Sequence, residues 1–208
     1  MTAKLNHFDR SKPFYPLVML YLVQLFGFKD MALRGIVGSP TIEELLSRLQ
    51  RKFGDTDDDL RAKVTKVAGP LELRSEYQGD TIKVDADVIA QDLATNVGYL
   101  ASYMMRSAGS LLILAYEATK DQPCRDDGPL WEFLRHCRNA AAHGGRFSLL
   151  RAEPRKRAVW GSLEITRQSN GMLLFKNDQG SGLLSPGDPI RLLWDIEQAY
   201  PSISVSHA

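Results

Sequence analysis

Two cysteines, Cys124 and Cys137, are too few for a disulfide framework in a chain of 208 residues. No second pair and no histidine at ligand spacing accompanies them, so a structural zinc site is excluded too, and Cys137 reads as a small core residue. Net charge is equally scarce at +1, which by itself argues neither for nor against a polyanionic partner. The longest apolar run, Phe14 to Phe28, is shorter than the roughly 20 residues a membrane-spanning helix needs, and no small-residue cleavage site follows it. The expectation is a cytoplasmic protein that does not enter a membrane. Internal repeats, low-complexity linkers, a nucleophile elbow and a cysteine–histidine pairing are also missing, which leaves little room for a solenoid or a serine or cysteine hydrolase.

What the chain does have is an ordinary globular composition, 44% apolar and 25% charged, at a length that buries a sizeable core. Residues 1–12 are polar and read as loose, with His7 an incidental surface residue. Pro16 to Phe28 is apolar on nearly all sides and predicts a core helix. Thr41 and Glu44 stand at capping-box spacing and open an amphipathic helix ending near Gly54. Asp57 caps a predicted short helix to Val67, and the acidic cluster Asp55, Asp57, Asp58 and Asp59 reads as its solvated N-terminus, not a metal loop. A hairpin around Gly79-Asp80 is expected between Leu71 and Val84. Apolar residues at steps of three and four from Ile89 to Ala115 predict the longest helix, Asp87 to Lys120, with Ala94, Gly98 and Ala101 as a small-residue strip for a close neighbour. Asn170-Gly171 predicts a β-hairpin across residues 155–178, and Asp188-Pro189 opens a last helix, 188–200. The fold class is therefore all-α: a single helical domain over 1–208, built from N-terminal helices (1–84), a long helix and the helix after it (85–147), and a small appended hairpin before the last helix.

The stretch from Trp131 to Phe147 organises the functional reading. Pro129 near a first turn, an alanine run, His143 in the last turn and Gly144-Gly145 as the stop predict one helix. Leu130, Phe133, Leu134, Cys137, Ala140 and Ala141 fall on a core-facing side, and Arg135, Asn139 and His143 fall opposite, at successive steps of four. Arg138 lies at the edge of the apolar seam, about 140° and 7.5 Å along the axis from His143. A guanidinium, a carboxamide and an imidazole on one helix suit an anionic ligand. Residues 135 to 157 carry seven cations (Arg135, Arg138, Arg146, Arg151, Arg155, Lys156, Arg157) against Glu153 alone, so this stretch is +6 and the remainder −5. That segregation predicts a basic patch.

Arg138-Asn139, three residues, then His143 resembles the R-N-x-x-x-H signature of the HEPN superfamily. The resemblance implies a HEPN-like helical bundle, a homodimer with a composite active site, and membership of a group rich in metal-independent ribonucleases of defence systems, toxin–antitoxin modules and RNA processing. It is sharp over residues 130–147 and says little about 1–84. One toxin subgroup carries a tyrosine, modified by a partner nucleotidyltransferase, where this chain has Gly145, so that route of neutralisation is not expected; an antitoxin or other regulatory protein remains an implied partner.

On this reading the catalytic residues are Arg138, Asn139 and His143, and Arg135, Arg146, Arg151, Arg155, Lys156 and Arg157 guide RNA, with no metal and no cofactor. Metal-free cleavage has the 2′-hydroxyl attack the adjacent phosphorus while an imidazole moves protons and a guanidinium holds the phosphoryl oxygens. His143 takes the proton, Arg138 the phosphate, Asn139 orients; the product ends in a 2′,3′-cyclic phosphate. His136, four residues from Glu132, reads as an ion-pair partner instead. The alternative is a non-catalytic interaction module that binds nucleic acid or protein through the same basic surface.

Overall fold

The computed structural model describes residues 9–53, 62, 71–76, 80–125, 128–150 and 153–205. The expected helix from Asp57 to Val67 apart from residue 62, the acidic cluster at 55–59, His7 and Arg151 lie outside these. The described chain is mostly helical with two short antiparallel strand pairs: α1 (Tyr15–Val37), α2 (Ile42–Phe53), β1 (Leu71–Arg74), β2 (Thr81–Val84), α3 (Ala86–Thr95), α4 (Val97–Ala118), α5 (Gly128–Ala142), β3 (Ala158–Trp160), β4 (Leu163–Ile165) and α6 (Asp188–Ala199). The chain packs as two compact units, Met1–Leu25 with Ala101–Ala208, and Phe26–Leu100. The physical reason is the apolar supply. Among the described residues of Phe26–Leu100 only Leu46, Ala90 and Leu93 are buried hydrophobics, whereas the other unit holds one continuous core.

The smaller unit follows its local signals. Thr41 and Glu44 close the capping box reciprocally, Thr41 N–H to Glu44 Oε2 at 3.0 Å and Glu44 N–H to Thr41 Oγ1 at 3.2 Å. β1 and β2 pair from Leu71 opposite Val84 to Arg74 opposite Thr81, which is the expected early hairpin. The single long helix from Asp87 to Lys120 is instead two. At Asn96 the backbone leaves the helical region (φ −118°, ψ 72°), while the Thr95 hydroxyl bonds back to Gln91 O and the Asn96 amide to Asp92 O. Short polar side chains that satisfy backbone groups locally compete with helix continuation, and two in succession break it.

α1 differs from its expectation in both length and burial. It runs on past Phe28 to Val37, with an Arg34–Asp30 pair in its last turns, and stops at Gly38, where φ is +83°. Only Val18 and Tyr21 of it are buried, while Val23 and Phe26 are 62% and 68% exposed. At 23 residues and a mean hydropathy of 1.4 over its most apolar window, it is long and apolar enough to cross a membrane by length and composition. Tyr15–Val37 thus exceeds the roughly 20 residues of a membrane span, which the apolar run Phe14 to Phe28 alone does not reach.

The larger unit is organised around α5. Trp131, Phe133, Leu134, Cys137 and Ala140 are at most 1% exposed, and Glu132 and His136 are buried beside them, so this helix is covered on most of its circumference. Ala108, Leu111, Leu112 and Ala115 of α4, Leu192, Leu193 and Ile196 of α6, Phe14 just before α1, Val18 of α1 and the β3–β4 residues Ala158 and Ile165 complete the core. α4 and α5 approach closely at Gly109, where an added Cβ would stand 3.3 Å from the Ala141 methyl. Of the expected small-residue strip, Ala94 has its close neighbour, since a Cβ built on Gly35 of α1 would stand 2.8 Å from the Ala94 methyl, whereas among the described residues nothing lies within 4 Å of a Cβ built at Gly98. The C-terminal hairpin also differs in register. β3 and β4 pair across Gly161-Ser162, with Gly161 at φ +56°, and Met172 to Phe175 pair elsewhere, Leu173 with Arg146 and Phe175 with Leu184. Asn170-Gly171 still makes a tight turn, with Met172 N–H on Ser169 O at 3.0 Å and Gly171 at φ +80°, but Arg167–Ser169 before it is a 3-10 turn rather than a strand, and the Asn170 side chain accepts the Leu149 N–H at 2.8 Å.

Candidate functional site

α5 ends in a Schellman turn. His143 N–H bonds to Asn139 O at 3.0 Å and Gly145 N–H to Ala140 O at 2.8 Å, with Gly144 at φ +80° and Gly145 at +76°, a conformation glycine adopts without a Cβ penalty. His143 is the first residue past the helix, not in its last turn, and it is exposed. The chain beyond is fixed at once: Leu174 N–H bonds to Gly145 O at 2.8 Å and Phe147 N–H to Met172 O at 3.0 Å. The imidazole is therefore carried on a turn held from both sides.

Arg138 is less free than a surface arginine. Its Nε and Nη2 donate to Glu117 Oε1 of α4 at 3.1 and 2.5 Å, its Nη1 donates to Asn139 Oδ1 at 3.2 Å, and its side chain is 28% exposed. The Tyr116 ring has the Arg138 guanidinium 5.8 Å from its centroid and that of Arg125 at 4.1 Å. Arg138 and Asn139 are thus joined through their side chains. Among the described residues no hydrogen bond or ion pair joins the His143 side chain to either, in keeping with their offset on the helix.

Beside His143 runs a groove of about 450 Å³. Ala141, Ala142, Gly144 and Gly145 form one wall, Leu173 to Phe175 another, and Ser102, Met105, Arg106, Gly109, Ser110 and Ile113 of α4 the third. Sequence reasoning read α4 only for its apolar stripe and missed Arg106, Tyr116 and Glu117. The signal was there: Ser102, Arg106, Ser110 and Glu117 stand at helical spacing on a second, polar side.

Arg135 was expected on an open face with His143. It is instead inside an ionic network, because α5 is covered on that side too. Arg135 forks onto Glu132, Nε to Oε2 at 3.0 Å and Nη2 to Oε1 at 2.8 Å, and reaches Glu153 Oε1 at 3.1 Å. His136 Nε2 lies 3.2 Å from Glu132 Oε1, the contact their spacing predicts, and is 2% exposed. Burial pushes the Glu132 carboxyl up, but the hydrogen bonds and charge of Arg135 outweigh it and hold the group below its usual range. Glu153 is lowered in the same manner, against its burial, by the Leu150 N–H and Arg135. Burial and the adjacent Arg135 charge depress His136, which favours a neutral ring. Glu153 also accepts the Leu150 N–H at 3.1 Å, so the network ties the start of the basic stretch to α5.

The remaining cations are distributed rather than clustered on one face of a helix. Arg146 donates to Gly171 O at 2.9 Å, Arg157 pairs with Glu164 at 3.0 Å, and Arg155 and Lys156 are exposed at a bend. Glu117, Glu132 and Glu164, all from outside residues 135–157, oppose half of the +6 counted along the sequence. A linear charge count overlooks carboxylates delivered by neighbouring elements. No family model matches this chain, and no curated protein and no solved structure matches it either.

Proposed function

We propose that this chain is a metal-independent RNA endonuclease of the HEPN type, active as a homodimer. The observation that carries the reading is the end of α5: Arg138 bonded to Asn139, and His143 exposed on a locked turn beside a groove that Arg106 lines. In the reaction Arg138 exchanges Glu117 for a phosphate. That exchange is cheap, since an ion pair with partners 28% and 47% exposed is worth about 1 kcal/mol or less. His143 accepts the 2′-hydroxyl proton in one copy and the second copy's His143 protonates the leaving 5′-oxygen, while Arg138 stabilises the crowded phosphoryl oxygens. Asn139 fixes the guanidinium plane through its Oδ1. The bond from the 2′-oxygen to phosphorus forms as the bond from phosphorus to the 5′-oxygen breaks, leaving a 2′,3′-cyclic phosphate. A defence or toxin–antitoxin setting, with a protein that restrains the enzyme, belongs to the same proposal.

The Arg138–Glu117 pair is also the observation that favours the second reading, a non-catalytic RNA- or protein-binding module in which Arg138 is structural. Labelled total RNA incubated in excess EDTA with wild type, His143→Ala and Arg138→Ala protein separates the two. Chelator-resistant cleavage with cyclic-phosphate ends, lost in both variants, is the expected result. Intact RNA with wild type, and binding unchanged in His143→Ala, would transfer the assignment to the module.

A further inference from the structure

A second groove, of about 470 Å³, lies between the β3–β4 hairpin and α6, within the range of ~300–1,000 Å³ typical of small-molecule sites. Two of the chain's three tryptophans, Trp160 and Trp194, line it, together with Asp188, Asp195, Arg191 and Gln198. Trp160 Nε1 donates to Asp195 Oδ2 at 2.6 Å, and its ring packs on Phe133 of α5 at 5.9 Å, tilted by 53°, so ring and carboxylate are both fixed. A carboxylate offers about four acceptor sites, so the Trp160 bond takes one of those on Oδ2 and leaves acceptor capacity on both oxygens of Asp195. Asp188 is partly committed, since its Oδ2 accepts the Ser185 N–H at 2.7 Å. Arg191 stands three residues after Asp188 and four before Asp195 on the same helix, yet among the described residues it forms an ion pair with neither.

These groups ask for three features in one ligand. Indole faces take a planar ring, a fixed carboxylate takes adjacent N–H donors, and a lone guanidinium takes one anionic group. Two carboxylates against one guanidinium disfavour a polyphosphate, and Arg191 disfavours a purely cationic side chain. We propose that this groove is a guanine ribonucleotide site, in which the base stacks on the indoles, its N1–H and N2–H edge donates to Asp195, and its phosphate meets Arg191. Adenine sets a ring-nitrogen acceptor at the matching edge, which a carboxylate repels. The proposal does not rest on cleavage, and the guanine arrives either as a free nucleotide or within single-stranded RNA.

Calorimetric titration in EDTA tests it, with guanosine monophosphate, adenosine monophosphate and guanosine added to wild type, and the pentanucleotides UUGUU and UUAUU added to the His143→Ala protein. Wild type is expected to bind guanosine monophosphate about tenfold or more tightly than adenosine monophosphate, and Trp194→Ala to lose about tenfold for every purine. Asp195→Asn, which keeps an acceptor for Trp160 Nε1, abolishes the guanine preference. Arg191→Ala lowers the monophosphate to the affinity of guanosine. If Trp194→Ala does not fold, the wild-type preference and its loss in Asp195→Asn decide alone. Equal affinity for the two monophosphates, or no heat at millimolar ligand, overturns the site. Tighter binding of UUGUU than of the mononucleotide assigns the guanine to RNA, and the reverse assigns a free nucleotide. Guanine binding by a protein that leaves total RNA intact would remove the nuclease reading and keep this one.

Discussion

Glu132→Ala is the substitution with the largest consequence that the structure allows to be worked through. The carboxylate is 6% exposed and receives both ends of the Arg135 fork, at 3.0 and 2.8 Å, as well as His136 at 3.2 Å. Removing one member of a buried ionic cluster costs ~3–5 kcal/mol, because the partner charge stays behind uncompensated. Here the cost is moderated in two ways: Arg135 is 23% exposed and it keeps Glu153 at 3.1 Å. A loss of about 3 kcal/mol follows, and at about 2–4 °C per kcal/mol for a chain of this size the melting temperature falls by roughly 6–12 °C. A thermal melt followed by circular dichroism reads it, and a double-mutant cycle with Arg135→Ala isolates the coupling. The network also anchors Glu153, so protease cutting within residues 146–157 is expected to accelerate in the variant. A melting temperature lowered by less than 2 °C, with zero coupling, would refute the assignment of this cluster as the tie between α5 and the basic stretch.

The same groups set the response to acid. Glu132, Glu153 and His136 all have depressed folded values, so their contributions are complete above about pH 6.5 and are lost as pH falls, His136 first and the carboxylates below their usual 4.5; urea midpoints from pH 7 to 3 read the two stages. Glu197 runs the other way: buried and bonded to Phe14 N–H at 2.8 Å, it is raised, chiefly by burial, so its contribution is complete below 4.5 and is lost as pH rises through the folded value. Glu197→Gln is therefore expected to raise the melting temperature at pH 7 and leave it unchanged at pH 4; equal shifts at both would refute this. Gly109→Leu forces α4 and α5 apart at Ala141 and costs about 1–3 kcal/mol by chemical denaturation, whereas Gly98→Leu, at an open position, is tolerated. Charge reversal of Arg155, Lys156 and Arg157 is expected to weaken RNA binding and flatten its salt dependence; an unchanged slope of affinity against salt excludes this stretch from the RNA path.

Local chemistry was legible wherever a signal and its target lie within a few residues. The Thr41–Glu44 box, the β1–β2 pairing, the stop at Gly144-Gly145 and the Glu132–His136 contact all depend on neighbours one turn or one hairpin away. The break at Asn96 had such a signal, two successive residues able to bond their own backbone, but the apolar stripe that runs through it outweighed it in the reading. At Asn170-Gly171 the local turn forms but the hairpin does not, because Arg167–Ser169 winds into a 3-10 turn and Leu173 pairs with the distant Arg146.

From the amino-acid sequence follow the existence of α5, its stop at Gly144-Gly145, and the position of Arg138 and Asn139 in its last turns with His143 just beyond, since helical periodicity and glycine fix these without help from the rest of the chain. It determined which residues carry charge, but not which charges remain available. Packing settles that, by bringing Glu117 to Arg138, Glu132 and Glu153 to Arg135, and Glu164 to Arg157. Packing also places the contact of α4 with α5 at Gly109 and that of α1 with α3 at Gly35, and it brings Trp160 and Trp194 to one groove with Asp195. These outcomes depend on which surfaces pack together across long separations in the chain, and periodicity records a face without naming what covers it.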